Sequence, residues 1–302
     1  MYHQLHCLRA LNLAFGLSRN IAPPHVQHCL NYLRQAALCG ADLTLERGDF
    51  TKRDFDQPQA QGETHTCRDW TVVYAAMKDN WGKWLLARNT SEFASKRDND
   101  GPISPPMGEL PPFLPPTSHL TPLSKSRAHS SFSPVPRNTS SFTPFGSKTW
   151  LLPTPLDRVQ IMMDSSVHYP YKGPTADAVW ESTLPPGGGL LHFPSDPSTP
   201  YSISLFHQLR CLNIIRKDLI QRTYLNATTL VTEPPSKLTH HCMNYIRLML
   251  LCQSDTRLQS CRRGRGQQIS VPYVTHGTCN DWEPVYAAAE ENWREWNRFE
   301  GQ

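Results

Sequence analysis

The sequence predicts a mainly α protein with a few short strands (α+β), made of two copies of one small module joined by a disordered Pro/Ser-rich linker. Two observations carry this prediction: a set of motifs occurs twice in the same order, and apolar residues follow those motifs at helical spacing. The 302 residues are enough for two domains that each bury a core.

The repeat is visible in three motifs. The sequence HQLHCL at 3–8 returns as HQLRCL at 207–212, and HCLNYLR at 28–34 returns as HCMNYIR at 241–247. A Cys-x-Asp-Trp segment that starts at Cys67 returns at Cys279. These motifs predict a first copy over 1–91, a linker over 92–155 and a second copy over 156–302. The first copy is expected to be truncated at its N-terminus, because it lacks the front section that precedes residue 207 in the second.

The predicted linker stands out by composition. Eleven of the 27 prolines fall between Pro102 and Pro144, and the segment also contains many serines. Such a segment buries too little apolar surface to offset the entropy of ordering it. A gene model that reads through untranslated sequence, or that merges two neighbouring genes, would have the same composition, and the sequence does not separate these readings.

Apolar spacing predicts three helices in each copy. In the first copy they cover 3–17, 25–39 and 70–86, and Pro23 and Pro24 suit the first turn of the second helix. In the second copy they cover 207–219, 238–252 and 282–299, and a short strand is expected over 201–206. The tryptophans of the third helices are expected in the core, and Asp69 is expected to cap a helix.

Four histidines are the candidate metal ligands. His3 and His6 lie three residues apart, as do His25 and His28, so each pair occupies one face of a helix. Two such helices packed together would bring four imidazoles to one point. Imidazole binds copper, zinc, iron and nickel, so the spacing does not name the metal. The alternative is that these histidines cap helices or lie in a satisfied core. His65 is either a further ligand or an ordinary loop histidine.

The nine cysteines indicate an oxidising compartment. Cys7 and Cys29 each point about 100° away from the preceding histidine, which favours a structural role over ligation. Two disulfides in each copy would use the repeated cysteines, although four cysteines allow three pairings. Three Asn-x-Ser/Thr sequons, which predict a glycoprotein, lie at Asn89, Asn138 and Asn226.

Several function classes are not expected. The net charge of +4 is too small and too dispersed to indicate nucleic-acid binding. The sequence contains no signal segment and no apolar run that would span a membrane. It also lacks the glycine-rich and nucleophile-elbow motifs of dinucleotide enzymes and serine hydrolases.

The paired His-x-x-His-Cys motifs, the sequence HCLNYLRQ and the segment Cys67-Arg-Asp-Trp70 resemble the UstYa-like family of fungal mycotoxin biosynthesis. The resemblance implies a metal-dependent oxidoreductase that oxidises or cyclises a peptide-like substrate. It implies a metal bound by His3, His6, His25 and His28, with copper favoured and iron or zinc as alternatives. It also implies a location in the lumen of the secretory pathway or at its membrane, since family members carry an N-terminal membrane helix.

The second copy departs from the family pattern at two ligand positions. Arg210 stands where the second histidine of the first motif is expected, and Leu238 stands where the first histidine of the second motif is expected. Arginine has no lone pair to offer a cation, and leucine has no ligand atom. We therefore expect the second copy to have lost the metal site or to bind metal poorly.

Three further readings remain open at this stage. The chain is a non-catalytic partner that pairs with another family member as a homo- or hetero-oligomer, a degenerate remnant, or a small module stapled by zinc. Structural zinc sites favour closed sets of Cys and His with tighter cysteine spacing, which counts against the last reading.

Overall fold

The computed structural model describes residues 1–16, 21–56, 64–88, 156–164, 166–193, 196–228, 234–259, 261–264, 267–270 and 274–300. We call the described residues up to 88 the first half and those from 156 onward the second half. The predicted linker over 92–155, together with Asn89 and Asn138, lies outside the described residues, as does the side chain of Asn226.

Helices dominate the part of the chain that is described, which confirms the predicted mainly α class with a few short strands. The seven helices are α1 (Tyr2–Ala14), α2 (Pro23–Gly40), α3 (Trp70–Arg88), α4 (Ala176–Glu181), α5 (Ser204–Thr228), α6 (Lys237–Gln253) and α7 (Glu283–Glu300). All six predicted helices are present. The short helix α4 was not predicted, because its six residues are too few to show a helical period.

The second helix of each half ends in the same way. Ala41 follows α2 with φ of 39°, and Ser254 follows α6 with φ of 44°, so both residues adopt the left-handed conformation. The N–H of Ala41 donates to the carbonyl of Ala37, and the N–H of Ser254 donates to the carbonyl of Leu250. This conformation is uncommon for residues other than glycine. It directs the chain away from each helix and toward the opposite half.

One hydrophobic core contains helices of both halves. α1 packs on α2 and α5 packs on α6, while α2 also contacts α5 and α1 contacts α6. Leu11 and Leu30 of the first half share a buried cluster with Leu212 and Ile246 of the second. The two predicted copies therefore pack together in one four-helix arrangement.

The strands also cross between the halves. They are β1 (Leu45–Arg47), β2 (Arg158–Met163), β3 (Leu190–Phe193), β4 (Asp196–Ile203), β5 (Cys261–Gly264), β6 (Gln267–Ser270) and β7 (Val274–Asn280). β1 of the first half pairs antiparallel with β4, which lies between β1 and β3, while β2 pairs with β7 and β5 with β6. The strand expected over 201–206 ends earlier, at Ile203. The chain turns into α5 there because the N–H groups of Ser204 and Leu205 donate to carbonyl oxygens of Thr44 and Asp42.

Two of the three disulfides among the described residues join the halves. Cys39 bonds to Cys279 and Cys67 bonds to Cys252, whereas Cys211–Cys242 connects two helices of the second half. The expectation of two disulfides within each copy is therefore wrong for Cys39, Cys67, Cys252 and Cys279. It holds for Cys211–Cys242. The physical reason is that the chain after α2 and the chain after α6 each cross to the other half.

The third helices differ in burial. Trp296 of α7 is 7% exposed and stacks on His192 of β3, whereas Trp81 and Trp84 of α3 are 41% and 38% exposed. The prediction of a core position is therefore wrong for these two. Residues 186–193 cover α7, and the described structure places no equivalent segment over α3. None of the described helices is both long and apolar enough to cross a membrane.

Candidate functional site

Helices α1 and α2 bring two of the four predicted histidines into direct contact. The Nε2 atoms of His3 and His28 lie 3.4 Å apart, and the two rings are stacked with centroids 5.5 Å apart. Both side chains are half-buried. We call His3 and His28 the first inner pair.

The other two predicted histidines form an outer pair beside the inner one. The rings of His6 and His25 are stacked with centroids 5.6 Å apart. His6 lies 6.3 Å from His3, and His25 lies 6.4 Å from His28, again between ring centroids. The structure thus brings all four predicted ligands together as two adjacent pairs, and metal binding by them stays a prediction.

The second half orients the first inner pair. Gln259 Oε1 lies 2.7 Å from His3 Nδ1, and Gln259 Nε2 donates to the hydroxyl of Tyr32, whose ring stacks on His3. An amide oxygen only accepts hydrogen bonds, so His3 carries its proton on Nδ1. The lone pair of His3 Nε2 consequently faces His28.

A second inner pair occurs on α5 and α6. The Nε2 atoms of His207 and His241 lie 3.2 Å apart, and their rings are stacked with centroids 5.4 Å apart. These are the two histidines that the second half retains from the repeated motifs. The two replaced positions, Arg210 and Leu238, correspond to the outer pair.

The first half orients the second inner pair in the same way. Glu46 accepts hydrogen bonds from His207 Nδ1 and from the hydroxyl of Tyr245, and the Tyr245 ring stacks on His207 with centroids 3.6 Å apart. Glu46 therefore corresponds to Gln259. Neither residue was singled out from the sequence. The sequence does contain a signal that could have paired them. Glu46 follows Asp42 by four residues, and Gln259 follows Asp255 by four residues, so the two occupy the same position of the repeat.

Charge distinguishes the two sites. Burial opposes the ionised form of Glu46, but hydrogen bonds from His207 and His65 outweigh it and hold the pKa of Glu46 at about 2. Burial and the charge of Glu46 raise the pKa of Tyr245. At the first site Gln259 has no charge, and burial raises the pKa of Tyr32 to about 12. The second site therefore contains a fixed carboxylate where the first has a neutral amide.

His65 belongs to the second site rather than the first. Its Nδ1 lies 3.3 Å from Asp42 Oδ2, and its Nε2 lies 3.1 Å from Glu46 Oε1. Hydrogen bonds to Asp42 and Glu46 raise the pKa of His65 to about 9, so the ring is a cation that pairs with two carboxylates. The structure does not bring His65 to the four predicted ligands.

Burial keeps one imidazole of each inner pair neutral. Burial, and to a smaller extent the charge of the neighbouring His3, lowers the pKa of His28 to about 4. Burial, and to a smaller extent the charge of His207, lowers the pKa of His241 to about 4. A neutral imidazole keeps a lone pair with which to bind a cation, so both rings are available as ligands near neutral pH.

Cationic and aromatic side chains surround the second inner pair where the first has its outer histidines. Arg210 Nη2 lies 3.1 Å from Asp49 Oδ1, and the Arg210 guanidinium carbon lies 4.9 Å from the centroid of the Phe50 ring. The Phe50 ring stacks on His207 with centroids 3.8 Å apart. The surroundings of this pair are therefore less suited to a cation, in line with the expectation for the second copy.

The cysteines of the motifs also differ between the sites. Cys7 and Cys29 are fully buried thiols that contact each other, and burial raises the pKa of Cys7 well above its usual range. At the second site the corresponding sulfurs form the disulfide Cys211–Cys242. The Cys7 sulfur and ring nitrogens of His3 and His28 lie within 4.8 Å of one another, which makes Cys7 a third potential donor.

A further group of potential donors is ruled out by its disulfide. The sulfurs of Cys39 and Cys279 and a ring nitrogen of His276 lie within 4.8 Å of one another, but the two sulfurs are bonded to each other in the disulfide Cys39–Cys279. Metals bind the thiolate, and a disulfide sulfur has none.

The inner pairs match the spacing that a bound metal requires. Two imidazole nitrogens that bind one tetrahedral ion at about 2.0–2.1 Å are about 3.3 Å apart. The observed separations are 3.4 Å for His3 and His28 and 3.2 Å for His207 and His241. Each pair also has one Nδ1 held by an oxygen acceptor, the arrangement that orients metal-binding histidines in proteins. The first site adds an outer histidine pair and a thiol, so it offers the larger donor set.

A sequence model of the family described as "Mycotoxin biosynthesis protein UstYa" matches residues 1–80 and 158–295, which together exceed half of the chain. No solved structure matches.

Three curated relatives are fungal. The UstYa family oxidase phomYb of Diaporthe leptostromiformis is 35% identical over 80 residues, which cover 25% of this chain and 32% of that protein. The oxidase ustYa of Aspergillus flavus is 33% identical over 85 residues, which cover 26% and 39%. The UstYa family oxidase VicYb of Bipolaris victoriae is 31% identical over 94 residues, which cover 30% and 77%.

The aligned part spans about a third of the length of phomYb and of ustYa, and most of VicYb. The family match covers both halves of the chain and includes both inner histidine pairs. The chain therefore belongs to the UstYa family, whose named relatives are oxidases and whose family description is mycotoxin biosynthesis.

Proposed function

We propose that this chain is a metal-dependent oxidoreductase of fungal secondary-metabolite biosynthesis that oxidises or cyclises a peptide-like substrate. His3 and His28 bind the metal, with His6 and His25 as the adjacent outer pair. Copper is favoured, since imidazole and a nearby thiol suit it, while iron and zinc also accept imidazole. The relatives named as oxidases support the reaction class.

The observation that carries this proposal is the arrangement around His3. Its Nδ1 proton is held by Gln259, its ring lies against Tyr32, and its Nε2 faces His28 Nε2 at 3.4 Å. Two neutral imidazole nitrogens are thereby fixed, before any metal binds, at the separation expected of two ligands of one ion. A redox-active metal at this position supplies the one-electron and O₂ chemistry of oxidation.

The protein's own residues provide orientation and shielding. Gln259 fixes the tautomer of His3, and the buried core beneath the pair keeps water from one side of the site. Outer contacts of this kind typically change metal affinity by about 10- to 100-fold. Replacement of Gln259 by leucine is expected to weaken metal binding within that range.

The experiment compares corresponding histidines of the two sites. His28→Gln and His241→Gln remove the second member of each inner pair with a side chain of similar size. After reconstitution with copper, iron and zinc in separate samples, metal content is measured by elemental analysis of the folded proteins. The unmodified chain is expected to retain about one ion, as one site of this donor set implies. His28→Gln is expected to lose it, and His241→Gln is expected to keep it.

Two outcomes contradict the proposal. Folded protein that retains none of the three metals has no metal centre of this kind. Equal loss in the two variants would mean that the first site is not the one that binds the metal. Circular dichroism and thermal unfolding of each variant establish that the protein is folded before metal content is compared.

A second candidate function is that of a partner for another family member. The exposure of most of α3 favours it, because Val72 is 63%, Leu86 is 72% and Trp81 is 41% exposed on this helix. Exposed apolar groups on this scale often mark interaction sites. Sedimentation velocity tests this candidate by comparing the unmodified chain with Trp81→Ser, and Lys83→Gln serves as the matched control on α3. A chain that stays monomeric alone and in the presence of other family members would exclude it.

A further inference from the structure

Helices α3 and α7 occupy corresponding places in the repeat, and one side of each helix carries matching residues. On α3 this side, which we call the α3 stripe, consists of Val73, Met77, Asn80, Trp81 and Trp84. On α7 the corresponding α7 stripe consists of Val285, Ala289, Asn292, Trp293 and Trp296. Successive members follow the period of a helix, so each set lies on one side. The two stripes differ at one position, yet the described structure covers only the α7 stripe.

The α7 stripe is covered by β3 and the residues just before it. Val285, Ala289 and Asn292 are buried. The Asn292 side chain accepts a hydrogen bond from the backbone N–H of His192 and donates one to the carbonyl oxygen of His192, both at 2.8 Å. The amide of Asn292 thus pairs with an extended backbone as a neighbouring strand would. The α7 stripe therefore recognises the main chain of β3 as well as its side chains.

Two further contacts determine what a covering chain must contain. A Cβ at Gly187 would overlap the Trp293 ring, and Gly187 has a φ of 76°, a conformation that glycine adopts without strain. The ring of His192 stacks on Trp296 with centroids 4.2 Å apart. A chain that covers such a stripe therefore needs a glycine against the first tryptophan and a flat ring against the second.

The α3 stripe has the same groups in an exposed position. Met77, Trp81 and Trp84 are 43%, 41% and 38% exposed, and Asn80 is also exposed. No described strand lies over α3 as β3 lies over α7. Exposed apolar groups of this size often mark interaction sites. Because Asn80 and Trp81 repeat Asn292 and Trp293, β3 shows what kind of chain the α3 stripe can bind.

A second exposed residue, outside α3, indicates the same kind of covering strands. β4 pairs with β3 along one edge and with β1 along the other, where Leu45 lies opposite Ile203. Leu45 is half-buried against the core, but its repeat counterpart Leu258 is 94% exposed. The disulfide Cys67–Cys252 ties the chain before α3 to the chain before Leu258. Two strands like β3 and β4 would cover both exposed places.

We propose that the α3 stripe and Leu258 form a docking surface for a pair of strands supplied by another chain of the UstYa family. A glycine of that pair lies against Trp81, its extended backbone pairs with Asn80, and its second strand lies beside Leu258. The 302 residues contain the sequence PPGGG once, and the second half uses it to cover α7. The family match over 158–295 includes β3 and β4, so family members are chains that carry strands of this kind.

The inference rests on the second candidate function and deepens it, because it names the surface of this chain and the segment of the partner. The probe that tests it is a synthetic peptide with the sequence of residues 184–203, labelled with fluorescein at its N-terminus. Fluorescence anisotropy measures the affinity of the peptide for the full chain. A second peptide carries Gly187→Ala, and a third carries Ser198→Ala as the matched control at an exposed position of β4.

Three protein variants are compared with the unmodified chain. Asn80→Leu removes the amide that would pair with the backbone of the peptide, and Leu258→Asn removes the apolar surface for its second strand. Asp79→Asn is the control on α3, because its counterpart Glu291 stays exposed beside the covered α7 stripe. All three positions are exposed, so the substitutions are expected to leave the fold intact.

The unmodified chain is expected to bind the peptide saturably. Asn80→Leu loses two hydrogen bonds and is expected to weaken binding about tenfold or more. The Gly187→Ala peptide is expected to lose at least as much, because its Cβ would overlap Trp81. Leu258→Asn is expected to weaken binding about fivefold, the effect of exposing part of one leucine. Asp79→Asn and the Ser198→Ala peptide are expected to leave the affinity unchanged.

Absence of saturable binding, or an affinity that survives Asn80→Leu, Leu258→Asn or the Gly187→Ala peptide, would overturn the proposal. Sedimentation velocity identifies the donor of the strands. A dimer of the unmodified chain alone that Asn80→Leu dissociates would make a second copy the donor, and would also overturn it. A complex with another family member that survives Asn80→Leu would exclude this surface and retain the second candidate function. Metal content is measured separately, so failure of the docking surface leaves the metal site standing.

Discussion

The two inner histidine pairs have similar spacing and different surroundings. His3 and His28 lie beside a neutral amide, two thiols and a second histidine pair, whereas His207 and His241 lie beside a carboxylate, a disulfide and an arginine. In the second pair the polar groups satisfy one another through Glu46, which also pairs with the His65 cation. Similar spacing of two imidazoles thus belongs to a network of paired polar groups in one half and leaves the rings available for a metal in the other.

The largest expected difference between the sites is in stability. Glu46→Ala leaves His65, His207 and Tyr245 without their shared partner, and removal of one member of a buried charged network typically costs about 3–5 kcal/mol. Gln259→Ala removes two neutral hydrogen bonds at a half-buried position and is expected to cost about 1–2 kcal/mol. Urea unfolding of both variants measures the difference. Equal costs would contradict the charge contrast between the sites.

A smaller effect is expected from the disulfides. Cys39–Cys279 closes a loop with a sequence separation of 240 residues and Cys211–Cys242 one of 31. Because Cys67–Cys252 also joins the halves, the shortest chain path that Cys39–Cys279 closes is only about 55 residues, and in the chain-entropy model its loss costs about 0.5 kcal/mol more than loss of Cys211–Cys242. Paired replacement of each disulfide by alanines, followed by urea unfolding, tests the order.

The same disulfides provide a simpler check that the halves are joined. With a protease site engineered into 92–155, the cleaved chain is expected to migrate as one species without reductant and as two with it. Separation of the fragments without reductant would show that Cys39–Cys279 and Cys67–Cys252 do not connect the halves.

The pH dependence of stability also separates the sites. The pKa of His65 rises from its ordinary 6.5 to about 9 in the folded protein, so its contribution is complete below pH 6.5 and is lost as the pH rises toward 9. His65→Gln is therefore expected to flatten the loss of thermal stability between pH 6.5 and 9. His168→Gln, at an exposed loop histidine, is the control. An unchanged alkaline profile in His65→Gln would contradict the ion pairs with Asp42 and Glu46.

The helices and the proximity of the four histidines could be predicted from the sequence because their signals are local. The spacing of His3 from His6, and of His25 from His28, fixes their faces once the segments are helical, and Pro23 marks where α2 begins. Packing of α1 on α2 then brings the pairs together. These elements depend on neighbours within a few residues, which is the range over which sequence patterns are informative.

The crossing of the two halves could not be derived in this way. Glu46 and Gln259 lie outside the motifs, and their importance depends on which half the chain enters after Ala41 and Ser254. Pairing of cysteines within a copy and pairing between copies use the same residues, so the sequence does not distinguish them. The exposure of Trp81 has a similar origin, because burial of α7 depends on residues 186–193, which have no counterpart described over α3.

Each half orients the inner histidine pair of the other, and the protonation of the histidine rings is the most direct test of this arrangement. Long-range ¹H–¹⁵N spectra of the metal-free protein report which ring nitrogen carries the proton. We expect His3 and His207 both to be protonated at Nδ1, with Gln259→Leu changing only His3 and Glu46→Leu changing only His207. A His3 signal unaffected by Gln259→Leu, or one that responds to Glu46→Leu instead, would contradict the claim.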